Sequence, residues 1–493
     1  MIDHYLHIRF AAGEGLQQQL RQWLVDAILS GIFPPHEALP SCRQLAEQLH
    51  ISRNTVALVY ESLLDKGYLV SRPRSGYYLH PAYHEVPPPH HAPAPSHPTA
   101  PDPQALRVQW SQRVRDSAAA LHGALKPRDW EQFRYPFAYG QADSQLFPRR
   151  AWRDAERHML STKNLAYWAC DSRDQDDPEL IEQLRTRVLP KRGIWAQPRQ
   201  ILITMGSQNA LYLTARLLTG PGVRVGMENP GYPDARNMFQ LHHADIRLHD
   251  VDAQGLVVDA SLQDCQYIYV TPSHQVPTGV TLSSARRQAL WAMAQQHDQV
   301  LIEDDYDADL HLADDPQPAL KSCDTQGRII YMSSFSKSLA PGLRMGYIVA
   351  DEELIDELRA LRRLMYRHPP LNLQRQLAYF LAQGDYDAHL RNYRDTYRRK
   401  HAQLQSALQR HLDSCSYSTS LGAASFWLTA PDGVDTQRLT WAAARRSIMI
   451  EPGGSHFLGE HCPHRFFRLG LHAIALERIE PGVQLLADTL ASV

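Results

Sequence analysis

The sequence predicts an N-terminal winged helix-turn-helix followed by a large α/β domain with a mainly parallel sheet. Three observations predict it. Two short capped helices lie within residues 41–68, separated by the tight turn His50-Ile51. A proline-rich run follows from residue 81. Beyond it, short apolar runs alternate with helical periodicity, the pattern of strands joined by crossover helices.

A chain of 493 residues is too long for one core, so two or three domains are expected. Apolar content of 43% and charged content of 21% exclude a disordered or fibrous chain. No apolar run reaches the length of a membrane span, and MIDHYLHIRF lacks the order of a signal peptide. The six cysteines are scattered without a CxxC pair, so reduced thiols, a cytoplasmic location and no metal site are expected. With a net charge of −2, any affinity for nucleic acid must come from local clustering.

Taken in order, GLQQQLRQWLVDAILS (residues 15–30) sets Leu16, Leu20, Trp23, Leu24, Ala27 and Ile28 at helical spacing, and Gly31 ends that helix. Ser41 caps a second helix, with Leu45, Ala46 and Leu49 on its inner face. Ser52 caps a third, SRNTVALVYESLLDKGY, striped by Val56, Val59, Tyr60 and Leu63. YLVSRPRSGYYLH then alternates apolar and polar residues about Ser75-Gly76, a two-stranded wing. The second helix of such a pair enters the major groove with its N-terminal residues at the bases. Those residues are Arg53, Asn54 and Thr55, behind Ser52. Arg43, Arg72 and Arg74 can reach phosphates, with Gly76 at the wing turn. Residues 1–80 hold seven Lys/Arg against seven Asp/Glu, but five of the basic residues fall within 41–80, on the side expected to meet double-stranded DNA.

Residues 81–104 cannot build a core and are expected to be an extended linker. The third region, 105–493, begins with FAYGQADSQLFPRRAW, read as an irregular arm docking through Phe137, Leu146, Phe147 and Trp152. A helix is expected from Pro178 and a strand over 200–204. Gly206, Ser207 and Gln208 then open another helix, where free N–H groups suit a phosphate. In QVLIEDDYDADL the acids follow a buried strand at its C-terminal end, where α/β sheets place ligands, and Asp304 and Tyr306 share a face. Helical stretches are expected over 352–368 and 374–411, and Arg468 sits between apolar neighbours on a strand, suited to a ligand carboxylate.

The chemistry gathers at SSFSKSLAPGLRMGY, residues 333–347. Lys337 ends a buried strand among serines, where desolvation favours the neutral amine that makes a Schiff base. Arg344 and Ser334 can hold a phosphate beside it. The aldehyde that carries its own phosphate is pyridoxal 5′-phosphate (PLP).

Over about residues 10–80, LPSCRQLAEQLHISRNTVALVYESLLDKGYL with SGYYL closely resembles the winged helix of GntR-family bacterial regulators. From about residue 110 the chain resembles a fold-type I PLP-dependent aminotransferase, and the combination resembles MocR-type transcription regulators. The resemblance implies an internal aldimine at Lys337, Asp304 on the pyridine nitrogen and Tyr306 on O3′. It puts Tyr232 on the ring, with Gly206, Ser207, Gln208, Ser334 and Arg344 on the phosphate. It further implies a homodimer that senses a small amine or amino acid, held at Arg468, through the external aldimine. Two departures stand out. Val276, in HQVPTG, replaces the asparagine that aminotransferases commonly carry, which favours sensing over turnover. No tyrosine stands before Pro178 where the partner subunit's phosphate contact is expected. The alternatives are a working aminotransferase with a DNA-binding appendage, and a sensor of PLP status.

Overall fold

A computed structural model describes residues 15–84 and 129–493, apart from 142, 171–174, 308, 310–316, 420–422 and 459–462, with isolated residues in 8–13 and 108–123. The chain divides into two units, Met1–Arg113 and Val114–Val493. The proline-rich stretch over 85–107 lies outside the described residues.

In the first unit, helix α1 (Leu16–Leu29) buries Leu20, Leu24, Ala27 and Ile28; of the expected stripe, Trp23 is only partly buried and Leu16, which heads the helix, stays exposed. Helix α2 (Cys42–Leu49) starts in a capping box: Ser41 Oγ accepts from the Gln44 N–H at 3.2 Å, and Gln44 Oε1 accepts from the Ser41 N–H at 2.9 Å. His50 closes it in the left-handed conformation, φ 53°. Ser52 caps helix α3 (Arg53–Asp65), whose Val56, Val59, Tyr60 and Leu63 pack on Leu45 and Ala46. The buried Tyr60 hydroxyl is satisfied by the Pro40 carbonyl at 2.9 Å. The wing is the hairpin of β1 (Leu69–Arg72) and β2 (Gly76–Leu79), paired from Leu69↔Leu79 to Arg72↔Gly76.

The second unit is built on eight strands: β3 (Ile201–Thr204), β4 (Arg224–Asn229), β5 (Asp245–Asp252), β6 (Gly255–Leu256), β7 (Tyr267–Val270), β8 (Val300–Asp304), β9 (Ile329–Ser334) and β10 (Gly346–Val349). Their order is β3-β10-β9-β8-β7-β4-β5-β6. The five central strands from β9 to β5 run parallel, while β10, β3 and β6 join antiparallel. Strand β5 carries exposed residues on much of its length, so its apolar signal was too thin to read. A smaller antiparallel sheet follows: β11 (Ser416–Ser418), β12 (Ser425–Thr429), β13 (Glu451–Pro452) and β14 (Phe466–Gly470), ordered β11-β12-β14-β13.

Two expectations need correction. The FPRRAW end of the arm is not irregular: a helix opens at Arg149, and Trp152 packs its ring on Phe147 and Phe380. The stretch expected as one helix over 374–411 is two, Leu371–Ala382 and Asp385–His411, broken where Gly384 takes φ 78°. The first part of the arm docks as expected, with Phe137 fully buried. Its close seat depends on Gly470, where a Cβ would stand 2.5 Å from the Ala138 carbonyl oxygen. The arm thereby carries Tyr139 up to the strand that bears Arg468.

Candidate functional site

The parallel strands β8 and β9 are in register with Asp304 beside Met332, so β8 ends two residues before β9. Their C-terminal ends open into a cavity of about 260 Å³ lined by Asp304, Tyr306, Ser334, Lys337, Arg344 and Arg468, together with residues from the arm and the neighbouring loops. Residues far apart in sequence thus meet where an α/β sheet offers its strand ends.

Asp304 is buried, and only one of its oxygens is satisfied: Oδ2 accepts from the Tyr269 hydroxyl at 2.7 Å. Oδ1, also buried, has no hydrogen-bond partner among the described residues. Burial pushes this carboxyl up to about 7; Asp305 and Asp307 add to the rise, against the Tyr269 hydrogen bond and the Lys337 charge. Tyr306 reaches the cavity, but its hydroxyl donates to the His274 carbonyl at 2.8 Å, so the proton expected to serve a ligand is committed to the backbone.

Lys337 follows the buried end of β9 and is half-buried. Its carbonyl accepts from the Tyr393 hydroxyl at 3.0 Å, and its Nζ lies 4.5 Å from the centre of the Tyr139 ring. Helix α4 (Ser207–Leu218) starts at Gly206, φ 82°, and no side chain caps it. Its first N–H groups are left for an anion. Arg344 donates from Nη2 to the Met205 carbonyl at 3.1 Å, and a Cβ at Gly206 would come within 3.1 Å of the same nitrogen. Glycine is therefore favoured here by the backbone angle, and a side chain would crowd Arg344. Gln208 donates to Asp234 at 3.0 Å and the Tyr232 hydroxyl to the same oxygen at 3.2 Å, which ties α4 to helix α5 (Pro233–Leu241) across the cavity wall. Val276 presents apolar carbon to the cavity.

Arg468 lies on β14 with its guanidinium 4.0 Å from the Tyr139 ring centre. Its Nε and Nη2, the edge read as a carboxylate fork, are taken by Glu451 at 2.8–3.1 Å. Sequence reasoning missed Glu451, His456, Tyr269 and the site role of Tyr139. A strand register brings Glu451 opposite Arg468, and nothing in EPGG signals that pairing. Tyr139 stood in a segment legible only as a docking arm.

In the first unit, Arg53 and Asn54 are exposed at the start of α3. Ser52 and Thr55 turn toward each other, Oγ to Oγ1 2.8 Å, so they shape the helix start more than they offer free hydroxyls. Arg43 pairs with Glu47 at 3.0 Å on the surface of α2, an interaction worth well under about 1 kcal/mol and readily exchanged for a phosphate. Arg72 lies 4.3 Å over the Tyr78 ring, and Arg74 holds φ 62° at the wing tip beside Gly76, φ 107°.

Comparison with known proteins agrees with both halves. Residues 16–79 match the model for bacterial regulatory proteins of the gntR family, and residues 141–455 match that for aminotransferase class I and II. The chain is 38% identical over 479 residues to the HTH-type transcriptional regulator TauR of Rhodobacter capsulatus, covering 97% of each. It is 31% identical over 403 residues to the probable rhizopine catabolism regulatory protein MocR of Rhizobium meliloti, covering 80% of this chain and 78% of that one. Among solved structures, the α-aminoadipate aminotransferase LysN of Thermus thermophilus, complexed with N-(5′-phosphopyridoxyl)-L-leucine, superposes with a TM-score of 0.70 at 26% identity. That match covers 78% of this chain and 99% of the enzyme. No helix among the described residues is long and apolar enough to cross a membrane.

The raised Asp304 carboxyl has a measurable consequence. The folded, ligand-free protein holds this proton more tightly than the unfolded chain, so the stability linked to it is present below about 4 and is lost as pH rises through about 7. Asp304→Asn removes that loss. Urea unfolding of both ligand-free proteins across this range should show the asparagine variant gaining on wild type as pH rises; a constant difference would contradict the assignment.

Proposed function

Because the chain belongs to the MocR and TauR type of GntR-family transcription regulators, with an aminotransferase class I and II domain behind the DNA-binding one, we propose that this domain binds PLP and senses a small amino compound with it. The observation that carries the reading is the buried, unsatisfied Oδ1 of Asp304. A buried acceptor without a partner is costly, and a protonated pyridine nitrogen would supply the missing donor. The donor set around it fits the rest of the cofactor. Ser334, Arg344 and the uncapped start of α4, at Gly206, Ser207 and Gln208, would take the phosphate, and Tyr232 would lie beside the ring.

PLP, when bound, supplies an aldehyde that condenses reversibly with amines. Lys337 is the resident amine for it, held at its backbone by Tyr393 and bounded at its tip by Tyr139. An arriving amine competes with Lys337 and is oriented by the side of the cavity that carries Arg468 and His456. Val276 leaves apolar carbon where a side-chain amide would help hold the cofactor's oxygen, which favours ligand sensing over efficient turnover. The amine influences DNA affinity only by the difference in its affinity for the two states of the regulator. In this reading the regulator is a cytoplasmic homodimer that meets an operator through α3 and the wing.

Borohydride reduction of the PLP-loaded protein should fix the pyridoxyl group to Lys337, seen by peptide mass spectrometry. A Lys337→Ala protein that is still labelled in the same region would defeat the reading. On the DNA side, Arg53→Ala should abolish preference for the operator over unrelated duplex. Arg72→Ala should weaken both about equally and reduce the salt slope by about one. Equal operator affinity for wild type and Arg53→Ala would show that α3 is not the reading head.

A further inference from the structure

The fork of Arg468 is already occupied from within. Glu451, its cross-strand neighbour in the small sheet, accepts from Arg468 Nε at 3.1 Å and from Nη2 at 2.8 Å on each of its oxygens. Its Oε1 also lies 3.2 Å from His456 Nε2, whose other nitrogen is 3.0 Å from the Gly231 carbonyl. Both side chains of the pair are nearly inaccessible, 4% and 6% exposed. Burial alone would raise the Glu451 carboxyl, but Arg468 and His456 outweigh it and hold the group well below the usual carboxylate range. The carboxylate is thus ionised, and Arg468 donates to both of its oxygens.

We infer that Glu451 is a specificity-determining residue of the effector pocket, an internal carboxylate that competes with the effector's own for Arg468. The inference rests on the amine-sensing reading above. A carboxylate entering the cavity meets a guanidinium whose charge is cancelled at contact distance and whose Nε edge is filled. To gain that edge it must displace Glu451 and leave a buried anion with His456 as its remaining partner, which is strongly unfavourable. An amine without a carboxylate meets no such opposition. Specificity is a difference of affinities, and a built-in competitor lowers the weight of one ligand group without touching the others. The Tyr139 ring, in contact with both Arg468 and Lys337, keeps the pair beside the reacting end of the cavity.

The test uses three small amines as probes. L-alanine and β-alanine each become ethylamine when the carboxylate is removed, so the ratio of their half-effect concentrations to that of ethylamine isolates the carboxylate. PLP-loaded full-length protein is titrated with each, following the visible absorbance of the cofactor. Glu451→Gln keeps the size and hydrogen-bonding reach of the side chain and removes its charge. In this variant the ratio should shift at least about ten-fold in favour of at least one amino acid, because Arg468 becomes uncompensated. A ratio that stays within a few-fold of wild type for both amino acids would overturn the inference. Wild type supplies a second measurement that does not depend on the variant folding. Less than about ten-fold preference for either amino acid over ethylamine supports an internal competitor, and a larger preference contradicts it. A cofactor spectrum that responds to none of the three amines, in a protein that borohydride does not label at Lys337, would instead remove the amine-sensing reading and this inference with it.

Discussion

The parallel register that sets Asp304 beside Met332 is the constraint on which the second unit depends. Strand pairing fixes where two chain segments end relative to each other to within one residue, because a slip reverses every side chain's face. Here it places the last carboxylate-bearing position of β8 next to the strand that delivers Ser334, Lys337 and Arg344. Three acids follow one another, Glu303, Asp304 and Asp305, and the backbone sends them to different partners. Glu303 accepts from the Leu320 and Lys321 N–H groups at 2.8 Å each. Asp305 is held by Arg192 at 2.8 Å and by the Tyr331 hydroxyl at 2.9 Å. Asp304 alone of the three lines the cavity, with a buried Oδ1 that has no hydrogen-bond partner among the described residues.

Charge inside this unit is met by pairing or hydrogen bonding at most buried positions, and two contrasting cases lie at the site. Arg192, Arg362 and Arg375 are buried with Asp305, Asp176 and Asp177 respectively, and Arg287 on the carbonyls of Leu282, Pro318 and Pro272. Asp304 departs from that rule through its unsatisfied oxygen. Arg468 obeys it, yet at the edge of the cavity, with Glu451 on its Nε and Nη2. One group waits for a partner and the other has a partner that must be contended with. In the proposed reading, those opposite situations separate what the cavity would offer a cofactor from what it would offer an effector.

Much of this was legible in the sequence, and the reason differs from element to element. The capped helices of the first unit were readable because Ser41 and Ser52 act locally, within three residues of the groups they satisfy. Asp304, Lys337 and Arg344 were readable because each follows an apolar run or a Pro-Gly break, so its position in an α/β unit could be inferred. Strand β5 was missed because an edge-ward strand with many exposed residues lacks an apolar run, and the break at Gly384 because helical periodicity resumes directly after it. Glu451 could not be found at all. Its partner lies 17 residues on and on another strand, and only the fold of the small sheet brings them together. Tyr139 is a similar case, since its place depends on how the arm seats on Gly470.

In the proposed regulator, events at Lys337 are transmitted to DNA affinity. The most direct measurement titrates one amine into PLP-loaded protein while cofactor absorbance and operator binding are followed in the same samples. Both should change with the same half-effect concentration, and neither should change in Lys337→Ala. An amine that saturates the absorbance change while operator affinity stays constant would contradict it.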